Sequence, residues 1–215
     1  MDKKSIRLNS VLFWVSICIA FILIPLLIFS HSSTYYKMRF DNYDVYEEFE
    51  NYSIEKDEVD VNIDNLVSHL SIMSSSLNND FYSKEDILHL YDVKDILEAL
   101  YLILPFSMIS IFWTFNRRIR IDHKLMKNLS RGYIIILLIT FIVVYALFDN
   151  FFILAHKLTF SNDYWLLNPE TSNLIKFFPQ NLFLEVFIIT ITINFLLHIS
   201  FIMLIRKIYG KRKSK

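Results

Sequence analysis

The sequence predicts an all-α integral membrane protein: four transmembrane helices, an extracytoplasmic, partly helical segment and an interfacial loop. Three observations carry this reading. Of 215 residues, 54% are hydrophobic and only two are glycine. The apolar residues are gathered into runs of about 20, the length a helix needs to cross a hydrocarbon core about 30 Å thick. Lys and Arg cluster in the stretches between and beyond those runs. Apolar and aromatic residues are too abundant for a disordered chain. A disulfide scaffold is excluded because Cys18 is the only cysteine. Twenty-two basic residues balance twenty-two acidic ones, so net charge points to no partner.

The first span is residues 11–29, free of charge. Lys3, Lys4 and Arg7 precede it, as in a signal peptide. Its apolar stretch is longer than a signal peptide's, and Ser30-His31-Ser32 is a poor cleavage site, so an uncleaved anchor is expected. An extracytoplasmic segment, 30–96, leads to the second span, 97–115, with Glu98 near its start. A cytoplasmic loop, 116–132, precedes the third span, 133–155, which reads through Asp149 and Asn150. An extracytoplasmic loop, 156–181, leads to the fourth span, 182–205, with Glu185 near its start, and a cytoplasmic tail, 206–215. Pro25 and Pro105 fall inside the first two spans, where membrane helices tolerate proline.

Orientation follows from the cations. The amino terminus, the 116–132 loop (Arg117, Arg118, Arg120, Lys124, Lys127, Arg131) and the tail (Arg206, Lys207, Lys211, Arg212, Lys213, Lys215) are basic, so both termini are expected in the cytoplasm. These basic loops are read as topology signals and lipid-headgroup contacts, not as a nucleic-acid surface. Residues 31–96 carry fifteen Asp and Glu against five Lys and Arg, as expected of the outer side.

Residues 31–56 show no clear period. From Asp57, the residues Val59, Ile63, Leu66, Val67, Leu70 and Met73 recur at helical spacing and predict an amphipathic helix over 57–73, followed by a polar loop over 74–80. Ser83 followed by Asp86 predicts a helix start that runs straight into the second span. On that helix His89 and Asp92, three apart, share a face, so Asp92 could fix the tautomer of His89. The 149–181 stretch is rich in aromatics, which favour a membrane–water interface, and has His156 at its entrance.

Six histidines are present. His123 is read as solvated, His198 as a bundle-facing residue of the fourth span, and His31 and His69 as without partners nearby in sequence. His89 and His156 both fall at the outer mouth and are the candidate catalytic pair; ordinary interface histidines are the alternative. His89, Asp92, His156 and Asp163 could also ligate a metal. No His-Glu-x-x-His helix or Cys cluster accompanies them, so a metal is not expected. Two glycines cannot build a phosphate loop, and there is no Gly-x-Ser-x-Gly elbow. A metal-dependent membrane hydrolase and a non-enzymatic sensor or assembly factor stand as rival readings. A transporter is disfavoured, because the spans show no internal repeat.

Two motifs carry a resemblance. His89-Leu-Tyr-Asp92-Val-Lys94 precedes the second span, and His156 is followed by Phe160-Ser-Asn162-Asp163-Tyr-Trp165-Leu-Leu-Asn168-Pro169 and Leu174-Ile-Lys-Phe-Phe-Pro179. With the four-span layout, they resemble the bacterial lipoprotein intramolecular transacylases (Lit). Leu90 and Asn168 stand where that family often has Met and Asp, and a Thr-Gly pair expected near 57–60 is missing. The resemblance implies an acyltransferase of the bacterial cell membrane with its site on the extracytoplasmic face. Its substrate would be a lipoprotein whose N-terminal Cys bears a diacylglyceryl group, set among membrane lipid. The sn-2 acyl chain would move to the α-amine of that Cys without a cofactor, giving the lyso form. In this reading His89 is the general base oriented by Asp92, and His156 serves the oxyanion or the leaving oxygen, with the roles exchangeable. Asn162 would orient the acyl carbonyl, and Asp163 or Trp165 would shape the loop.

Overall fold

The computed structural model describes residues 2–72, 77, 80–117 and 119–210, the last three as backbone alone. Met73, most of the expected 74–80 loop, Arg118 and the tail cations Lys211, Arg212, Lys213 and Lys215 lie outside the described residues. Regular structure among the described residues is helical: α1 (Lys3–Ser30), α2 (Ser33–Phe40), a 3-10 turn (Asp41–Tyr43), α3 (Val45–Glu50), α4 (Lys56–His69), α5 (Lys84–Asn116), α6 (His123–Ala146), α7 (Phe148–Thr159), α8 (Asn173–Phe177) and α9 (Gln180–Gly210). Four of these, α1, α5, α6 and α9, are long and apolar enough to cross a membrane.

The stretch read as one span over 133–155 is two helices. The chain leaves helical geometry at Leu147 (φ −130°, ψ 35°) and restarts as α7. Asp149 then stands in the first turn of α7, where a carboxylate suits the positive end of the helix dipole, and accepts a hydrogen bond from Gln180 Nε2 at 2.8 Å. The aperiodic 31–56 stretch is largely helical, in pieces of six to eight residues joined by tight corners. Asp44 and Ser53 make left-handed corners at φ 56° and 60°. Asp tolerates that conformation better than most side chains, because its short carboxylate can hydrogen-bond locally. The helix expected over 57–73 runs from Lys56 to His69.

The chain divides into two compact units. The first comprises Met1–Leu26, Tyr101–Ala146 and Ile188–Lys215. Phe13, Ile17, Met126 and Ile205 form a buried cluster there, packed by Trp14, Phe21, Ile111, Ile121 and Phe201. Lipid is as apolar as these side chains, so burial alone gives helices little reason to associate; close packing and interhelical hydrogen bonds must do it. Trp14 Nε1 donates to Ser130 Oγ at 3.0 Å, and Ser16 Oγ to Ser110 Oγ at 2.9 Å. His198 is fully buried between Asn194 O (3.0 Å from Nδ1) and Cys18 Sγ (3.5 Å from Nε2), the bundle-facing position expected of it.

Proline at position 25 removes the backbone donor that would serve the carbonyl of Phe21, four residues earlier. Asn194 supplies a replacement: its Nδ2 donates to Phe21 O at 3.0 Å and to Thr190 O at 3.1 Å. Asn194→Leu should therefore destabilise the bundle by about 1 kcal/mol, measured by unfolding in mixed micelles. Pro25→Ala, which restores the N–H, should recover most of that loss. An equal loss in both backgrounds would show that the two residues act independently.

The second unit comprises Leu27–Leu100 and Leu147–Phe187. Its centre is Phe177, fully buried, with ring centroids 4.8 Å from Phe49, 5.7 Å from Phe81 and 5.8 Å from Phe40. Val45, Val59, Ile63 and Leu66 are buried with it, and these last three are the apolar face that the helical spacing from Asp57 anticipates. Glu185 is fully engaged. Its Oε1 accepts from Tyr35 Oη at 2.7 Å, and its Oε2 from Tyr43 Oη and Arg39 Nη2, each at 2.5 Å. The carboxylate thus clasps the first turns of α9 to α2 and the 3-10 turn.

Candidate active site

All six sequence-predicted site residues belong to the second unit. His89 and Asp92 ride on α5, whose first turn is fixed by a reciprocal cap. Ser83 Oγ accepts from Asp86 N at 3.0 Å, and Asp86 Oδ2 accepts from Ser83 N at 3.1 Å. His89 follows three residues after Asp86, in the polar stretch that precedes the apolar run of α5, and is 8% exposed. Its Nδ1 is buried and has no hydrogen-bond partner among the described residues. Burial pushes its pKa down to about 4; nearby His156 pushes the same way, while Asp92 and Asp86 oppose. The ring is therefore neutral at physiological pH.

His156 is delivered by α7. Phe148, Phe152 and His156 follow at four-residue intervals and share one helix face. The Phe152 ring lies 4.2 Å from the imidazole, centroid to centroid. His156 Nδ1 is 2.7 Å from the carbonyl oxygen of Phe152. A carbonyl can only accept, so Nδ1 carries the proton and, in the neutral ring, Nε2 carries the lone pair.

The two imidazoles come together at 6.0 Å between ring centroids. Phe160 flanks both, at 4.9 Å from His89 and 5.7 Å from His156, and Trp165 stands 5.1 Å from His156. An aromatic enclosure of this kind presents few competing hydrogen-bond groups, so a polar contact made inside it is stronger than in water.

The supporting residues pair differently from the sequence expectation. Asp92 Oδ2 accepts a hydrogen bond from Asn162 Nδ2 at 2.9 Å, and Asn162 Oδ1 accepts from Tyr164 N at 3.1 Å. Asp92 therefore ties α5 to the loop behind His156 rather than orienting His89 by a hydrogen bond. Asn162 is occupied in the same tie and in the turn. Asp163 is exposed, and its carbonyl closes the turn to Leu166 N at 3.0 Å. Among the described residues no three His, Cys, Asp or Glu side chains cluster closely enough to hold a metal ion. His31 bonds Ser30 and Leu27, His69 packs edge-on to Tyr91, and His123 opens α6. Phe152 was not singled out from the sequence, although its spacing of four from His156 on a helix is a signal that could have found it.

The family model of the lipoprotein intramolecular transacylase Lit matches residues 11–183. The chain belongs to this family. It is an acyltransferase and an integral membrane protein. No curated protein matches it. Among solved structures, the in meso structure of the membrane integral lipoprotein intramolecular transacylase Lit from Bacillus cereus is similar over 100% of both chains, with TM-score 0.82 and 21% identity. Two structures of that Bacillus cereus protein with one histidine replaced, by alanine or by arginine, are similar over 97% of this chain and 96% or 95% of theirs. Their TM-scores are 0.70 and 0.67, each at 22% identity. At these identities the likeness concerns the fold, and it extends along the Lit chain from end to end.

Proposed function

We propose that this Lit-family chain moves the sn-2 acyl chain of a diacylglyceryl-modified lipoprotein to the α-amine of its own N-terminal Cys. Both termini lie in the cytoplasm and the site lies on the extracytoplasmic face, as the distribution of Lys and Arg supports. Amine and ester belong to one molecule, so the protein's chief task is to hold them close and in line. The substrate supplies the nucleophile, so no Ser or Cys is needed for that role.

The observation that carries the proposal is the complementarity of two neighbouring imidazoles. His156 presents an Nε2 lone pair, because its Nδ1 proton is committed to Phe152 O. His89 is neutral, and its Nδ1 lies buried without a partner among the described residues. A buried lone pair costs less to leave unpaired than a buried N–H, which favours the proton on Nε2. One ring then accepts a proton while the other offers one, which favours the exchanged order of the two roles. The α-amine, with a pKa near 8, attacks in its neutral form: its nitrogen lone pair bonds the ester carbonyl carbon while one N–H proton passes to His156. His89 donates a hydrogen bond to the oxyanion. As the tetrahedral intermediate collapses, the bond from carbonyl carbon to glycerol oxygen breaks. His156 returns the proton to that oxygen. An ester becomes an amide and a free hydroxyl, with no change in mass.

Mass spectrometry of lipoprotein N-terminal peptides tests this. The chain is expressed in a bacterium that leaves its lipoproteins diacylated with a free amine. An N-acyl, mono-O-acyl Cys at unchanged total mass is expected. A persistent free amine in cells where the protein is inserted would overturn the proposal.

A further inference from the structure

Asp86 does more than cap α5. It is fully buried, and the carboxylate oxygen left over from the cap, Oδ1, accepts from Ser172 Oγ at 2.5 Å. Ser172 is itself buried, at 1% exposure, and its Oγ accepts from Ile175 N at 3.1 Å, which makes it the N-cap of α8. Two helix starts that lie 86 residues apart in sequence therefore meet at one carboxylate. Helix α8 ends in Phe177, the centre of the aromatic cluster, so its position is fixed at the far end too. The loop held between His156 and this anchor contains Phe160, Asn162 and Trp165. Backbone bonds to Asn168 O, from Ser172 N at 2.8 Å and Thr171 N at 3.1 Å, close it just before Ser172.

We propose that Asp86 and Ser172 are the positioning pair of this active site: one buried carboxylate locks the turn of α5 that carries His89 to the start of α8, and so sets the spacing of His89 from the loop that closes behind His156. The Asp92–Asn162 bond is the second tie between the same two segments, six residues further along α5. Two ties at different points along one helix fix both its distance from the loop and its rotation. With only the second, α5 could turn about that point and carry the His89 ring out of register with His156. Small misplacements of this kind cost catalysis heavily even where binding survives. The proposal rests on the catalytic reading of His89 and His156.

The test uses the full-length chain in proteoliposomes with a diacylglyceryl lipopeptide. Turnover is normalised to inserted, folded protein, and thermal midpoints are measured alongside. Ser172→Ala should lower kcat about tenfold or more with KM unchanged, because the groups still bind but are misaligned. Ser172→Thr, which keeps the hydroxyl, should restore kcat. Asp86→Ala combined with Ser172→Ala should lower kcat no further than Asp86→Ala alone, because both remove the same bond. Ser83→Ala removes only the cap of α5, and should lower the thermal midpoint while leaving kcat unchanged. A merely structural role predicts the opposite pattern: Ser83→Ala and Ser172→Ala would lower the midpoint alike and leave kcat per folded molecule intact. Full kcat in Ser172→Ala, or no recovery with Ser172→Thr, would overturn the positioning role. If Ser172→Ala does not insert, the comparison of Asp86→Ala with Ser83→Ala decides in the same way. Wild type and His89→Ala serve as controls. An inactive wild type or an active His89→Ala would strike at the catalytic reading instead.

Discussion

Replacing His156 by alanine should lower acyl transfer by about 10²–10⁴-fold while the protein still inserts, the range a positioned general base contributes. The α-amine attacks from its neutral form, the minor form at neutral pH, and its nitrogen must shed a further proton as it bonds the carbonyl carbon. His156 is suited to that step because Phe152 O holds the Nδ1 proton and leaves Nε2 free to accept. His156→Gln is the sharper variant. A glutamine amide can donate a hydrogen bond but is no base at physiological pH, so it should be as inactive as alanine. Substantial lyso-form product from His156→Gln, read by mass spectrometry, would remove His156 from the base role.

His89 should respond differently to the same pair of substitutions. In the proposed mechanism alanine removes an oxyanion donor, and the expected loss is about 10²–10³-fold in kcat. Glutamine retains a neutral N–H donor and should recover part of that loss. The contrast assigns the roles: glutamine helps where a donor is needed and fails where a base is needed. A neutral buried histidine also leaves a pH signature. Its pKa is about 4 in the fold, against about 6.5 in an unfolded chain. Between these values the unfolded state binds the extra proton, so stability rises with pH across that window. The contribution is intact above about pH 6.5 and is lost as pH falls towards 4. His89→Ala should therefore lose less stability than wild type on acidification through that window, measured as thermal midpoint. An identical acid profile for the two proteins would show that His89 is not held neutral by burial.

The four spans were legible because hydropathy summed over a long window is insensitive to single residues. The break at Leu147 was not legible, because an apolar residue ends one helix and Asp149 and Asn150 can pass for the polar edge of a continuous span. The helices of 31–50 were hidden for another reason. Pieces of six to eight residues are too short for a helical period to repeat, and tertiary packing around Phe177 stabilises them instead. In the site, His89 and His156 stood out by chemistry and by their place beside the spans. Spacing on one helix put Asp92 on the face of His89 but could not reveal its partner, Asn162, which is 70 residues away. Ser172 was invisible for the same reason: a serine gives no sign of which distant carboxylate it will meet.

The bond from Asn194 to Phe21 O also bears on how the protein is made. Its two ends lie 173 residues apart, so the carbonyl left open beside Pro25 waits in the bilayer while the chain between them is made. Helix α1 leaves the translocation machinery before the helix that completes it, α9. Until α9 is in place, that carbonyl lies within the hydrocarbon without this partner, where an unsatisfied group is costly. Arrival of α9 supplies the donor, so α1 reaches its lowest energy only after α9 has been inserted.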